Sequence, residues 1–301
     1  MKIGFFAILG KPNAGKSTLL NRLVGEKVSI VSWRPQTTRN KINGILNGDK
    51  DGEPYQIVFV DTPGIQHGKD KLSQYMSESV TSATKGADGI LYLIDGNLRP
   101  DEDERKRIAS LAHTTDCMIV VVNKMDEAKR DRFVAMLASL NDIPDIIVVP
   151  VSAETGDNVD ELVKVLYDHL EEGEAYYPTD IATDSTLRFM ASEIVREKAL
   201  KFLQEEIPHG VGVEIVKYES RRDGVEEIHA DIVCEKESHK PVIIGKGGET
   251  LKRIATAARL EMEDLAGCPV YLKLWVKVRP NWKGDSNLLS LLGYDPKDLK
   301  E

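Results

Sequence analysis

Gly10-Lys11-Pro12-Asn13-Ala14-Gly15-Lys16-Ser17 leaves a chain few ways to fold. Its G-x-x-x-x-G-K-S spacing is that of a turn between a strand and a helix which aims successive main-chain N–H groups at one anion. Eight residues can also match by chance, as a Gly-rich connection in another α/β protein, so the flanks decide. Gly10 and Gly15 let the backbone turn, Asn13 and Ala14 complete the loop, and Lys16 adds a point charge for the β- and γ-phosphates of a nucleoside triphosphate. Ser17 offers a hydroxyl to Mg²⁺, and Thr18 follows it into a helix whose positive end faces the same anion. The flanks agree: Ile3–Leu9 is an apolar run suited to a buried strand, and Ser17–Val24 has helical apolar spacing.

Over residues 1–173, short apolar runs alternate with amphipathic stretches, which predicts an α/β fold with a mostly parallel sheet. Strands are expected at Lys2–Leu9, Lys41–Leu46, Gln56–Val60, Gly89–Ile94, Cys117–Val122 and Ile146–Val151. Helices are expected at Lys16–Val24, Leu72–Thr84, Glu102–Ala112, Arg130–Leu140 and Val159–Leu170. Val28–Asn40 and Ile65–Lys71 follow no period and read as loops beside the phosphate turn, hence candidate switches. Residues 174–184, with Pro178 and repeated Thr-Asp pairs, read as a linker. Residues 185–301 then predict a smaller α+β domain. Its order is a helix (Thr186–Phe202), strands (Val211–Tyr218, Val225–Cys234), a Gly turn, a helix (Glu249–Leu265), a strand (Val270–Val278) and a C-terminal tail.

With 301 residues, 41% apolar and 30% charged, the chain can bury two cores and is not disordered in type. No apolar run approaches the ~20 residues of a membrane span. The first strand starts at once, leaving no room for a signal peptide. Cys117, Cys234 and Cys268 are far apart and show no metal spacing, so a reduced intracellular protein without a structural metal is expected. A net charge of −9 argues against indiscriminate nucleic-acid binding. Between Lys240 and Gly284, however, nine basic residues face four acidic ones.

Asp61-Thr62-Pro63-Gly64 ends an expected strand, where Asp61 can reach Mg²⁺ and the Gly64 N–H can sense a γ-phosphate. Asn123-Lys124-Met125-Asp126 ends another. Asp126 can accept hydrogen bonds from the N1–H and N2–H₂ of guanine, donors that adenine lacks. Asn123 can brace the base and the phosphate turn, and the Lys124 stem can lie along the ring. Ser152-Ala153 is expected to present N–H groups to guanine O6. Taken alone, Asn-Lys-x-Asp could equally be a helix cap, but the order of four motifs at successive strand ends favours a guanine site.

With these motifs the chain resembles the Ras-like GTP-binding superfamily, and Pro35-Gln36-Thr37-Thr38-Arg39 resembles the first switch of its Era-type branch. The resemblance implies GTP and GDP as ligands with Mg²⁺. It makes Thr38, or its neighbour Thr37, the threonine that closes on Mg²⁺ and γ-phosphate, beside Ser17 and Asp61. Lys16, Thr38 and Gly64 become the catalytic set. Ile65 stands where many relatives carry a water-orienting glutamine, so slow intrinsic hydrolysis is expected, with Gln66 a loop residue. Asn13 matches the position that in some relatives holds K⁺.

Gly245-Lys246-Gly247-Gly248 follows Val242-Ile243-Ile244 and opens a helix. A G-x-x-G turn lets backbone approach and clamp a single nucleic-acid strand. Its setting resembles the type II KH fold. Lys246 and Lys252 add charge. On the last strand Tyr271, Lys273, Trp275 and Lys277 share a face that could stack bases, or be a solvated or packing face. Asn281-Trp282-Lys283 could supply an exposed ring, and Leu288–Tyr294 is apolar enough to fold back.

Whole-chain resemblance to the Era-type GTPases with a KH domain implies a monomer that binds the 3′ end of 16S rRNA in 30S ribosomal subunit assembly. It also implies cytoplasmic residence, peripheral membrane contact and a domain orientation set by the nucleotide. A GTP-regulated protein-binding switch without specific RNA recognition is the alternative. A tRNA-modifying enzyme lacks support, because no cysteine here sits as a nucleophile.

Overall fold

The structure, a computed structural model, describes residues 1–65 and 68–299. The chain forms two compact units. One comprises Met1–Ser29, the described part of Thr38–His67, and Met76–Asp184; the other comprises Ile30–Thr37, the stretch Gly68–Tyr75 and the chain from Ser185. Gln66, expected in a loop, lies outside the described residues.

Up to residue 172 the chain runs β1 (Lys2–Gly10), α1 (Lys16–Val24), β2 (Ile42–Lys50), β3 (Glu53–Asp61), α2 (Lys71–Lys85), β4 (Gly89–Asp95), α3 (Glu102–Ala112), β5 (Cys117–Asn123), α4 (Arg130–Ala138), β6 (Ile147–Pro150), α5 (Val159–Tyr167) and a two-residue β7 (Glu171–Glu172). The sheet order is β2-β3-β1-β4-β5-β6. All neighbours are parallel except β2–β3, while β7 lies antiparallel on β1. The central strands β4 and β5 are buried nearly throughout, as apolar runs covered on both faces should be. The expected mostly parallel sheet is therefore present.

Because the strands run parallel, Gly10, Asp61, Asp95, Asn123 and Pro150 all end at one edge. The chain leaves β1 for neighbours on both sides, the place where such sheets bind ligands. β2 is longer than expected, since its polar end pairs with β3 out to Lys50 and Glu53. Residues 174–184 are not free chain. Gln56, buried in β3, donates to Tyr177 O (2.9 Å) and accepts from Tyr177 N (3.0 Å), and Ile45 N donates to Ala182 O. Gln56, the one polar residue between Tyr55 and Val60, thus has partners for its side chain.

The second unit contains α6 (Leu187–Phe202), β8 (Gly212–Ser220), β9 (Glu226–Cys234), α7 (His239–Ile244), α8 (Glu249–Ala266), β10 (Val270–Val278) and α9 (Ser286–Leu291). β9 is central, antiparallel to β8 and parallel to β10. Thr186 caps α6 by accepting from Phe189 N. Ile194 and Val195 of α6 pack with Ile232 of β9, Ile254 and Ala258 of α8, and Val276 of β10. The short apolar run before the glycine turn is the helix α7.

Trp282 corrects an expectation. Its ring is fully buried, donates from Nε1 to Gly210 O (3.1 Å), and stacks on Tyr294 of the folded-back tail. Burying so large a ring while satisfying its one donor outweighs leaving it in water.

Candidate functional site

The phosphate turn has the backbone its sequence demands. Gly10 and Gly15 have φ of 145° and 94°, and Asn13, exposed, has φ of 64°. A side chain at Gly15 would put Cβ 2.2 Å from Asn123 Nδ2, so this glycine is required by space as well as by conformation. Asn123 joins two loops: its Nδ2 donates to Ala14 O (2.9 Å) and its Oδ1 accepts from Ala153 N (2.9 Å).

Lys16 is buried, and its ammonium donates to Gly10 O (3.2 Å) and Lys11 O (3.1 Å). Burial pushes its pKa down, against the pull of Asp61. Burial likewise pushes the Asp61 carboxyl up, against Lys16 and three hydroxyls. Those hydroxyls converge on Oδ2: Ser17 at 2.7 Å, Ser29 at 3.1 Å and Thr38 at 3.4 Å. Ser17 and Thr38 are 2.8 Å apart. Asp61 Oδ1 is buried with no hydrogen-bond partner among the described residues.

A carboxylate oxygen left without a donor, with the Ser17 and Thr38 hydroxyls beside the same carboxylate, suits a hard cation with oxygen ligands. Ser17, Thr38 and Asp61 thus fit Mg²⁺. Of the two threonines, Thr38 is the one beside Asp61, whereas the Thr37 hydroxyl donates to Arg34 O (2.6 Å).

Gly64 lies against the turn, where an added Cβ would sit 2.9 Å from the Pro12 ring nitrogen, and Ile65 N donates to Gly10 O (3.2 Å). The Ile65 side chain packs on the cluster that includes Leu9 and Ile94. It is therefore apolar in surroundings as well as in type. Sequence reasoning missed Ser29 on Asp61, and also Lys11, which is paired with Asp101 (2.6 Å) and Glu104 (2.8 Å) at the start of α3. Residues 28–40 have no period from which Ser29 could have been read.

At the base end, Asp126 is exposed at the edge where β5 stops, and Lys124, at φ of 64°, pairs with Asp95 at 2.6 Å. One expectation changes. The N–H of Ser152 donates to Asp157 O (2.9 Å) and that of Ala153 to Asn123 Oδ1. The first bond closes the loop on itself and the second ties it to the end of β5, so both amides have partners within the protein.

In the second unit, Gly245, Gly247 and Gly248 all have positive φ (78°, 61° and 82°), and Lys246 is exposed. A Cβ on Gly245 would lie 2.3 Å from Thr250 Oγ1. Lys252 is exposed on α8. Lys273 and Trp275 are elsewhere. They alternate with the β10 residues packed toward α8, so they occupy the sheet's other face. There Lys273 lies over the Trp275 ring (4.8 Å), and Trp275 meets His229 edge-on (5.4 Å). The structure does not bring these two to the glycine turn.

A Gly-rich turn, a strand-end carboxylate and an Asn-Lys-x-Asp loop on one sheet edge, followed by a G-x-x-G unit, are the arrangement of a P-loop GTPase carrying a KH domain. Residues 5–124 match the family described as 50S ribosome-binding GTPase, and residues 206–283 match the KH domain. GTPase Era of Clostridium botulinum is 44% identical over 300 residues, covering 99% of both chains. That of Clostridium beijerinckii is 44% identical over the same length. Two solved structures are 40% identical to this chain. A variant of Aquifex aeolicus Era bound to GDP and AlF4⁻ has a TM-score of 0.93, covering 98% of this chain and 100% of that one. Era in complex with MgGDPNP and nucleotides 1506–1542 of 16S ribosomal RNA has a TM-score of 0.92, covering 98% and 99%. The chain belongs to the Era family of GTPases.

Proposed function

We propose that this GTPase binds the single-stranded 3′ end of 16S rRNA through its KH domain and acts in assembly of the 30S subunit. The observation that carries the reading is the presence, in one chain, of a Mg²⁺-suited nucleotide pocket and a three-glycine turn with exposed Lys246. A relative of the same architecture holds both MgGDPNP and 16S RNA.

In this reading the N–H groups of the turn from Gly10 to Thr18 bind phosphates, and Asp126 selects guanine with Asn123 and Lys124 beside it. Mg²⁺, on Ser17, Thr38 and Asp61, neutralises phosphate charge when bound. Lys16 and the Thr38 and Gly64 amides stabilise charge that develops as water attacks the γ-phosphorus in line and GDP departs. Ile65 orients no water, so turnover is slow. Asn13, exposed in the turn, is proposed to bind K⁺. Exchange of K⁺ for Na⁺ then slows turnover several-fold, and equal rates overturn that part.

The functional division follows 1–173 for GTP, 174–184 as the joint and 185–301 for RNA. Gly245, Lys246, Gly247, Gly248 and Lys252 clamp the strand, with Lys273 and Trp275 a separate contact on the open sheet face. Cytoplasmic residence, peripheral membrane contact and a monomeric state complete the proposal. Among the described residues no helix is long and apolar enough to cross a membrane.

Binding of a labelled RNA with the 16S 3′-end sequence tests it. The pair Lys246→Asp and Gly247→Asp should lose at least about tenfold in RNA affinity, as one reversed and one added negative charge at a phosphate clamp imply, while GTP affinity holds. Unaltered RNA binding would favour the protein-binding switch instead.

A further inference from the structure

Trp33 is the most exposed large apolar side chain of the described residues, at 71%. It is nevertheless held firmly. The Arg34 guanidinium lies 4.3 Å from the ring centroid, and that guanidinium is itself fixed by donating to Leu200 O (2.8 Å) and Leu203 O (2.6 Å) at the end of α6. The indole therefore has one face against a locked cation and the rest in solvent.

It borders an open cleft of about 520 Å³, lined also by Lys201, Phe202, Glu205 and Arg253. Arg253 lies over the Phe202 ring at 4.7 Å. Three cations and two rings surround this space, against the single acid Glu205.

We propose that this cleft is a subsite for an unpaired RNA nucleotide, its base stacked on Trp33 and its phosphate beside Lys201 and Arg253. An exposed aromatic face with cations at its rim matches a nucleobase joined to a phosphate. An acidic peptide would use the cations but leave the indole face wet. Arg253 is five residues past Gly248, about 8 Å along the α8 axis. To reach the cleft, a strand clamped at the glycine turn rounds α8 by about 140° while advancing that distance, a path open to an RNA of several nucleotides beyond the four in the clamp. Trp33 also lies on the segment that leads to Thr38, so a nucleotide seated there touches the chain that carries a Mg²⁺-side hydroxyl. The proposal rests on the KH reading above and extends it.

The test uses the full-length protein loaded with MgGDPNP and two single-stranded RNAs, one of four nucleotides to fill only the glycine-turn clamp and one of about ten. Trp33→Ala should weaken the longer RNA by about 5- to 100-fold and leave the shorter unchanged, with Trp33→Phe recovering most of the loss. Arg253→Ala should lower the salt dependence of the longer RNA by about one counterion. If Trp33→Ala binds the longer RNA within twofold of the parent, the subsite is wrong. An unaltered salt slope in Arg253→Ala removes its phosphate contact. Gly247→Asp separates the two readings: if it binds both RNAs as the parent does, the KH assignment fails whatever Trp33 does.

Discussion

The guanidinium of Arg196, buried on α6, donates to the main-chain oxygen of Thr37, the residue before Thr38. It also pairs with Glu193 (2.8 Å) and reaches Gln36 O (3.4 Å), while Glu197 accepts from Val31 N (2.9 Å). An aperiodic stretch from the first part of the chain is thus held by charged groups of a helix some 160 residues later.

Removing that guanidinium leaves Glu193 buried and unpaired. Arg196→Met should cost about 3–5 kcal/mol of stability in urea unfolding. Adding Glu193→Leu should restore most of it, because the uncompensated charge is gone. A loss under about 1 kcal/mol for Arg196→Met would show that the pair is not what holds residues 36 and 37.

Gly15→Ala forces a side chain to φ of 94° and into Asn123 Nδ2. The strain is about 1–2 kcal/mol, and a displaced Asn123 leaves Ala14 O unpaired at about 1–3 kcal/mol more. GTP affinity by isothermal calorimetry should fall at least about tenfold. Parent-like affinity would mean that the Ala14–Asn123 link is dispensable.

Asp126→Asn replaces an acceptor by a side chain that can also donate. Xanthine carries a carbonyl where guanine has its amino group. The variant should lose about 5- to 150-fold in GTP affinity, as one unpaired polar contact implies, and gain xanthosine triphosphate. Unchanged preference in competition binding would remove Asp126 from the base site.

On the open face of the second sheet, Arg221 (2.6 Å) and Lys217 (3.0 Å) hold the Glu227 carboxyl down to about 2, with His229 at 2.9 Å also facing it. A carboxyl depressed on folding adds stability that is complete above its unfolded value, near 4.5, and is lost as pH falls toward about 2. Glu227→Gln should therefore flatten the decline of the thermal midpoint across that window. Equal slopes for variant and parent would contradict the pairing.

The nucleotide site was legible because each motif is local in sequence, and parallel strands bring the motif ends to one edge without further information. Strand-end residues such as Asp61 and Asn123 are ambiguous alone, and it is the order of the motifs along the chain that makes them readable. What was not legible depends on distant partners. Trp282 reads as an exposed loop ring until Gly210 and Tyr294 bury it. The Ser152 and Ala153 amides look free until Asp157 and Asn123 take them. Glu193 and Arg196 have the spacing of an ordinary helix-surface pair, and only tertiary packing makes them a buried one. Alternation along the last strand gives Lys273 and Trp275 a common face from sequence alone, but which face of the sheet α8 covers follows only from the packing of Val270, Val276 and Ile254.

Crosslinking of a photoreactive 16S 3′-end RNA, mapped by mass spectrometry with GDPNP or GDP bound, tests the central claim most directly. The account predicts crosslinks at Gly245–Gly248 and on the first turns of α8, with a yield that differs between the two nucleotides. Crosslinks absent from those residues, or identical in place and yield in both states, would contradict a GTP-gated RNA-binding protein.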